Sequence, residues 1–486
     1  MILIENLTKL WTGFDWSVLI LYMVGVVVIG LSMKTRAGKS VKSFYVASRK
    51  LTVPILVGVG AASWYDSWTI VGLGECGWTM GISILLVFVI PETLCRLPLA
   101  LVVGPHVRDD IPDWVVTAPD LLMYLYNDKV KLISAITYIA NIFYDSALLF
   151  AIAEVMKLVS GMPLWVTLAV TGAIIALYTS MSGFWGSAIT DLIQFAIMTV
   201  SAGALLIGIM IKFGGLPAVW AKLAVIDPKL LTPTGHLTFW EGVGWFISAC
   251  AMYCEAGCYQ RFGSARSGRD IKTAYSIMLA MGLTFSIAMV FAGMAARAFF
   301  GGAGVKPSYG FWELVFTVLP IGLRGLFVSA LFAAVMSTIE SDWLLFSTCL
   351  VNDIYRGFIN KGLSEEKTVR GVRIGIIGFG AVTVVGTIFW AGGIADAWYY
   401  LGGFLFAMFF IPITAGLFYR KRRSEGALAC ITSSAVLYVV WEFILNCPGG
   451  IPSSAVVTVV GAIIYFTVCQ IFYKKYGRSS EGGRPR

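Results

Sequence analysis

Asp66, Glu75, Asp145, Glu255 and Glu340 all stand inside stretches otherwise built from apolar residues. A carboxylate so placed costs at least about 2.5 kcal/mol to insert into hydrocarbon and needs a partner. Arg96 and Lys157 lie in similar stretches, but each has a carboxylate of its own. Glu92 precedes Arg96 by four residues and Glu154 precedes Lys157 by three, spacings that put both members on one helix face. The acids are therefore left in excess. An unpaired buried carboxylate protonates or binds a cation, so the set points to a positively charged solute, to protons, or to both. Trp64, Tyr65 and Trp68 flank Asp66, Tyr144 precedes Asp145, and Tyr253 lies near Glu255, which supplies aromatic faces beside the charges. The alternative is that these acids pack between helices with partners elsewhere, and that Trp64 and Trp68 are core or lipid-facing rings. Trp78, Trp240 and Trp312 read as an interfacial belt.

A second group offers neutral oxygens. Ala334, Ser337, Thr338 and Ser341 recur at i, i+3, i+4 and i+7, which sets a carbonyl and three hydroxyls on one helical face. A hard cation wants several oxygen ligands, and carbonyls near Ala62 and Tyr65 could complete such a shell. Hydroxyls in membrane helices also bond back to their own backbone, and spacing alone does not separate the two readings.

These residues are positioned by membrane-spanning helices. Hydrophobic residues make up 58% of the 486 and charged ones 13%, too little polarity for an ordinary soluble surface. With about 20 apolar residues per crossing, thirteen candidate spans run at 15–33, 53–80, 82–106, 130–158, 162–180, 186–212, 239–262, 272–300, 322–350, 371–392, 396–418, 425–446 and 452–473. The net charge of +9 collects in short loops and the tail: Arg261 to Lys272, Arg356 to Arg373, Arg420 to Arg423, and from Lys474 onward. That asymmetry, with Glu5, Lys9 and Asp15 before the first span and Lys34, Arg36, Lys39 and Lys42 after it, predicts a retained first helix, an outer N-terminus and an inner C-terminus. It reports orientation rather than nucleic-acid binding. The nine cysteines show no paired extracellular spacing and read as buried thiols, with Cys250, Cys254 and Cys258 as one packing stripe rather than metal ligands.

Two spans look broken. In the second, Gly58, Gly60, Gly72 and Gly74 bracket the polar run Ser63 to Thr69; in the seventh, Glu255 and Gly257 interrupt an apolar helix. Interrupted helices five spans apart are what two inverted five-helix repeats would give, with a binding site at mid-membrane. The corresponding division is 1–52, an extra helix and loop; 53–212, the first repeat; 213–238, an outer loop; 239–418, the second repeat; and 419–486, two further helices with a basic tail.

The segment LYTSMSGFWGSAITDLIQ from Leu177 to Gln194, together with AAVMSTIESDWLLFSTCLVNDIY from Ala333 to Tyr355, resembles the two most distinctive stretches of the sodium/solute symporter family. The resemblance runs over nearly the whole chain. It implies an all-α integral membrane protein of about thirteen transmembrane helices, two inverted five-helix repeats with broken first helices, and sodium-coupled import by alternating access. It further implies that Ala62, Tyr65, Ala334, Ser337 and Thr338 form the family's common sodium site. By the same resemblance Asp191 lies near Ser337 and Ser341, where some members hold a second sodium. Glu340 stands where those members have a hydroxyl, and three readings stay open: a stronger ligand, a proton carrier, or a side chain facing a cytoplasmic vestibule. Ala62 to Trp64, Glu75 and Tyr259 to Arg261 are similar to the family's choline transporter branch, which would make Trp64 an aromatic wall. Glu255 stands where that branch has an aromatic residue. A carboxylate there favours a protonated amine, which donates hydrogen bonds, over a quaternary one, which does not.

The expected function is import of a small solute with sodium as the coupling ion, the solute being a cationic amine such as a diamine or polyamine. Trp64, Asp66, Trp68, Asp145, Tyr253 and Glu255 are its candidate contacts. Alternatives are a zwitterionic amino acid, another neutral solute, or proton-coupled cation uptake. A channel is disfavoured because no ring-forming filter motif is present. An enzyme is disfavoured because His106 and His236 lack metal-ligand spacing, no phosphate-binding glycine loop occurs, and no soluble catalytic domain is expected beyond Tyr473. The expected partners are the solute and membrane lipid, with no nucleic acid and no obligate protein, in the cytoplasmic membrane.

Overall fold

The computed structural model describes residues 9–38, 40–302, 304–389 and 394–476; Glu5, Lys39 and the tail beyond 476 lie outside them. Every named element among the described residues is helical. Among the described residues, nine helices are long and apolar enough to cross a bilayer. One of these, Leu164–Phe213, has 50 residues. At 1.5 Å per residue it would measure roughly 75 Å, more than twice a hydrocarbon core of about 30 Å, and it divides at Gly183 (φ 55°, ψ −155°). Counting it as two spans and adding the interrupted second, fourth and seventh gives the expected thirteen.

The second span is Val53–Trp64 followed, after Tyr65, by Trp68–Gly72 and Leu73–Met80. Its break is satisfied locally. The Asp66 carboxylate accepts the Thr69 N–H at 2.9 Å, so Asp66 caps the second half-helix. The Thr69 hydroxyl donates to the freed Trp64 carbonyl at 2.6 Å. The seventh span is Phe239–Ala249, a tight turn over Cys250–Tyr253, then Ala256–Ser264, with Glu255 extended between (φ −70°, ψ 127°). Here tyrosines take the freed carbonyls: Tyr138 donates to Cys254 and Tyr259 to Tyr253, each at 2.9 Å. Both interruptions fall where the sequence places them.

Other features differ from expectation. The fourth span is interrupted at Ala140 and Asn141, between Asp128–Ile139 and Ile142–Ser160. The outer loop 213–238 carries a helix, Gly215–Ile226. The ninth span, Leu323–Thr348, continues in wider turns to Ile359. Not all cysteines are thiols: Cys95 of the third span and Cys250 are joined as a disulfide. The Cys250, Cys254, Cys258 stripe is not one helical face, because the helix stops between them.

The half-helix Leu73–Met80 packs on the eighth span, Gly268–Phe300, with no room for side chains. A Cβ on Gly293 would sit 1.9 Å from the Gly74 carbonyl oxygen, and one on Gly77 would sit 2.2 Å from the Val290 oxygen. Gly293→Ala therefore forces the broken span away from its neighbour. The expected loss is about 1–3 kcal/mol, read as a lowered unfolding midpoint of the purified protein, whereas an unchanged midpoint would show that this contact yields.

Candidate functional site

Oxygens of the second and ninth spans meet at the first break. The Ser337 hydroxyl donates at 3.1 Å to the Ala62 carbonyl, and the Ala334 carbonyl is also 3.1 Å away. Thr338 Oγ1 lies 3.3 Å from the same Ala334 oxygen. Tyr65 leaves helical geometry (φ −88°, ψ 42°), so its carbonyl has lost its place in the helix ladder. Its ring is pinned by stacking on Phe285 at 3.8 Å. Hydroxyls and carbonyls thus converge as a cation shell requires, and back-bonding to Ala334 coexists with the bridge to Ala62.

Behind this cluster lie Asp191 and Glu340, both fully buried. Their carboxyl groups meet. Thr190 Oγ1 is 3.4 Å from Glu340, and Tyr178 and Ser187 turn their hydroxyls toward the same carboxyl without a completed hydrogen bond. Neither Asp191 oxygen has a partner, nor does Ser341 Oγ. Glu340 therefore does not face a vestibule; it faces the sixth span inside the protein.

A cavity of about 40 Å³ opens beside Thr338. Its polar lining is Ser63, Asp66, Asn141, Tyr144, Glu255 and Asp342. No Lys, Arg or His is among its lining residues. One water needs roughly 10–15 Å³ of such space, so the cavity holds only a few waters and has to widen for a larger solute. Asp66 is already served: besides Thr69 N–H it accepts the Tyr144 hydroxyl at 2.9 Å, and Thr69 Oγ1 lies 3.2 Å away. Glu255 and Arg261 point toward one place, the space above Gly257.

Of the sequence candidates for solute contact, the structure brings Asp66 and Glu255 to the cavity wall, while Trp64, Trp68, Asp145 and Tyr253 are not on it. The face of Trp64 is taken by Arg96, whose guanidinium carbon lies 3.4 Å from the ring centroid. The Trp64 indole donates to Glu92 at 3.2 Å, and Arg96 and Glu92 pair at 3.1 Å. The cation over Trp64 is the protein's own. Trp68 stacks on Trp245 at 5.6 Å. Asp145 sits behind Asp342, the two carboxyl groups meeting. Glu75 lies in the second half-helix of its span, near Glu154 and Asp396. Glu154 faces Lys306 and Ser308, not Lys157, which is exposed. Asn141 and Asp342 were missed. Asp342 follows Thr338 by four residues, so extending the hydroxyl face by one more turn would have found it.

Away from this cavity the chain is held by ion pairs. Buried Lys131 lies 2.5 Å from Asp120 and 3.1 Å from Asp353. Asp113 takes Lys42 at 3.0 Å and Arg49 at 2.6 Å, and the Lys42 hydrogen bond with these two charges holds its carboxyl below the usual carboxylate range. Lys42, Asp113, Asp120 and Lys131 line a second cavity of about 420 Å³.

The model of the sodium:solute symporter family matches residues 44–433. Among characterised proteins, the chain is similar to the sodium/pantothenate symporter of Escherichia coli, 26% identical over 87% of this chain and 89% of that one. It is also similar to the high-affinity proline transporter PutP of Bacillus subtilis, 25% identical over 67% of this chain and 70% of the other. Among solved structures, a substrate-bound, outward-open Na+-coupled sialic acid symporter superposes with a TM-score of 0.83 at 18% identity, covering 95% of this chain and 98% of its own. A nucleobase-cation-symport-1 family transporter in a closed conformation gives 0.61 at 12% identity, covering 90% and 96%. The chain belongs to the sodium:solute symporter family: it is a multi-pass membrane transporter with sodium as coupling ion, not an enzyme.

The Glu92–Arg96 pair is under 5% exposed on both sides, so removing one charge strands the other. Glu92→Gln should cost about 3–5 kcal/mol, and Glu92→Gln with Arg96→Met should recover most of it. Unfolding midpoints of the three proteins test this; equal losses in the single and double variants would contradict it.

Proposed function

We propose that this member of the family imports a small cationic amine, such as a diamine or polyamine, with sodium. The observation that carries this reading is the lining of the central cavity: three carboxyl side chains, Asp66, Glu255 and Asp342, and no basic one. Such a wall favours a positive ligand over an anion. A second reading, a zwitterionic amino acid, has its own support. Arg261 turns toward Glu255, and several relatives carry proline in their names.

Sodium is held by the carbonyls of Ala62, Tyr65 and Ala334 and the hydroxyls of Ser337 and Thr338. It replaces the hydroxyl-to-carbonyl hydrogen bonds seen there and joins the broken second span to the ninth. Asp191, Glu340 and Ser341 form a second cation or proton site. Sodium binds first and stabilises the form with the solute cavity open on the outside; solute then permits closure. On the inner side the Lys131 pairs with Asp120 and Asp353 have to part for release. Sodium loss there weakens the solute by the same coupling free energy. The membrane potential adds about 2.3 kcal/mol per charge per 100 mV. The N-terminus lies outside and the C-terminus inside the cytoplasmic membrane, as the basic loops favour.

Thermal stabilisation of the purified protein by amines, amino acids and sugars, in sodium or in potassium, tests the reading. A shift with a diamine that needs sodium supports it; a shift with a zwitterion alone moves it to the second reading. Ser337→Ala should raise the sodium concentration giving half-maximal stabilisation by roughly tenfold, equivalent to about 1.4 kcal/mol. An unchanged sodium dependence would contradict this site.

A further inference from the structure

We propose that Asp342, backed by Asp145, is the primary anchor for the cationic group of the solute, and that Asp66 serves the break instead. The inference rests on the cationic-amine reading above. Three acids line the cavity, and their surroundings differ. Asp66 accepts two hydrogen bonds, from Thr69 N–H and Tyr144, and caps a half-helix. A ligand would have to compete with those donors. Glu255 has the Arg261 guanidinium turned toward it over Gly257, and the Cys258 thiol 3.9 Å away. A positive neighbour lowers the attraction of this carboxylate for a second cation.

Asp342 has neither. Among the described residues its one hydrogen-bonding neighbour is the Asp145 carboxyl, and it is partly open to the cavity. The Asp145 carboxyl meets it from behind, with both oxygens fully buried and without a donor. The nearest indole, Trp343, directs its N–H to Thr383 at 3.0 Å instead. Two carboxyl groups in contact repel unless a proton or a cation lies with them. The other charges felt at Asp342 are Glu255, Arg261 and Asp66; with Asp145 that is three acids against one base, so negative charge predominates around it. On the same wall the Asn141 Oδ1 atom is buried without a donor. A primary ammonium has three N–H donors. These acceptors match it: one for Asp342 and one for Asn141, with the third left for a water or a further acceptor. A quaternary ammonium offers none.

The arrangement also places solute beside sodium. Asp342 follows Thr338 by four residues, about 6 Å along the helix axis, so one helix face carries both sites, and the Asp342 carboxylate screens one cation from the other.

The test uses full-length protein in detergent, with 1,4-diaminobutane and ethylamine as probes, 1,4-butanediol as the uncharged control, and thermal stabilisation in sodium as the readout. Asp342→Asn should weaken the apparent affinity for the amines by about tenfold to a hundredfold. It should keep its stabilisation by sodium over potassium, which shows that the variant is folded. Asp342→Glu should restore part of the amine response. Asp66→Asn should lower the unfolding midpoint without amine yet still respond to it. Full amine affinity in Asp342→Asn, with loss in Glu255→Gln or Asp66→Asn, overturns this assignment and leaves the cationic-amine reading intact. No response of the unaltered protein to either amine overturns both.

Discussion

A carbonyl freed where a helix breaks inside a bilayer has no water to turn to, so the protein has to provide a donor or a cation for it. The molecule's layout follows from how it meets this demand at two places. At the second-span break, Thr69 takes the Trp64 carbonyl and Ser337 takes that of Ala62. At the seventh-span break, tyrosines from near and far take the carbonyls of Tyr253 and Cys254. The difference matters. Tyrosine bonds at the seventh span are permanent furniture of the core, whereas the Ser337 bond comes from a hydroxyl that can itself become a ligand.

Electrostatics sorts the buried charges in the same way. Where the chain needs strength it closes the set internally: Arg96 lies on Trp64 and pairs with Glu92, and Lys131 sits between Asp120 and Asp353. Elsewhere it leaves acids facing acids, as at Asp191 with Glu340 and Asp145 with Asp342. Buried charges paired within the fold cost much to break. Carboxyl pairs without a donor are the places where an incoming cation changes the local energy most.

What the sequence discloses here is mostly what is local. Glycines around a polar run announce the break after Trp64, a carboxylate announces the one at Glu255, and hydroxyls three and four residues apart announce the oxygen face. Helix-face spacing finds Glu92 for Arg96 at i, i+4 but misassigns Glu154 to Lys157 at i, i+3, since the neighbours of Glu154 are Lys306 and Ser308. What escapes is set by packing between distant segments. Nothing near Trp64 says that Arg96 will cover its face. The Cys95–Cys250 disulfide spans a sequence separation of 155. Asp145 reads as a solute contact until Asp342 is seen in front of it. Gly183 looks like one more small residue in an apolar run, yet it is where a long helix turns.

In the proposed cycle, sodium takes over the oxygens at the first break and fastens it to the ninth span. Hydrogen–deuterium exchange of the purified protein in sodium, against potassium at equal ionic strength, tests it most directly. The account predicts slower exchange with sodium in the peptides spanning Tyr65 to Thr69 and Ser337 to Asp342. Identical exchange in the two salts, or slowing confined to other segments, would contradict it.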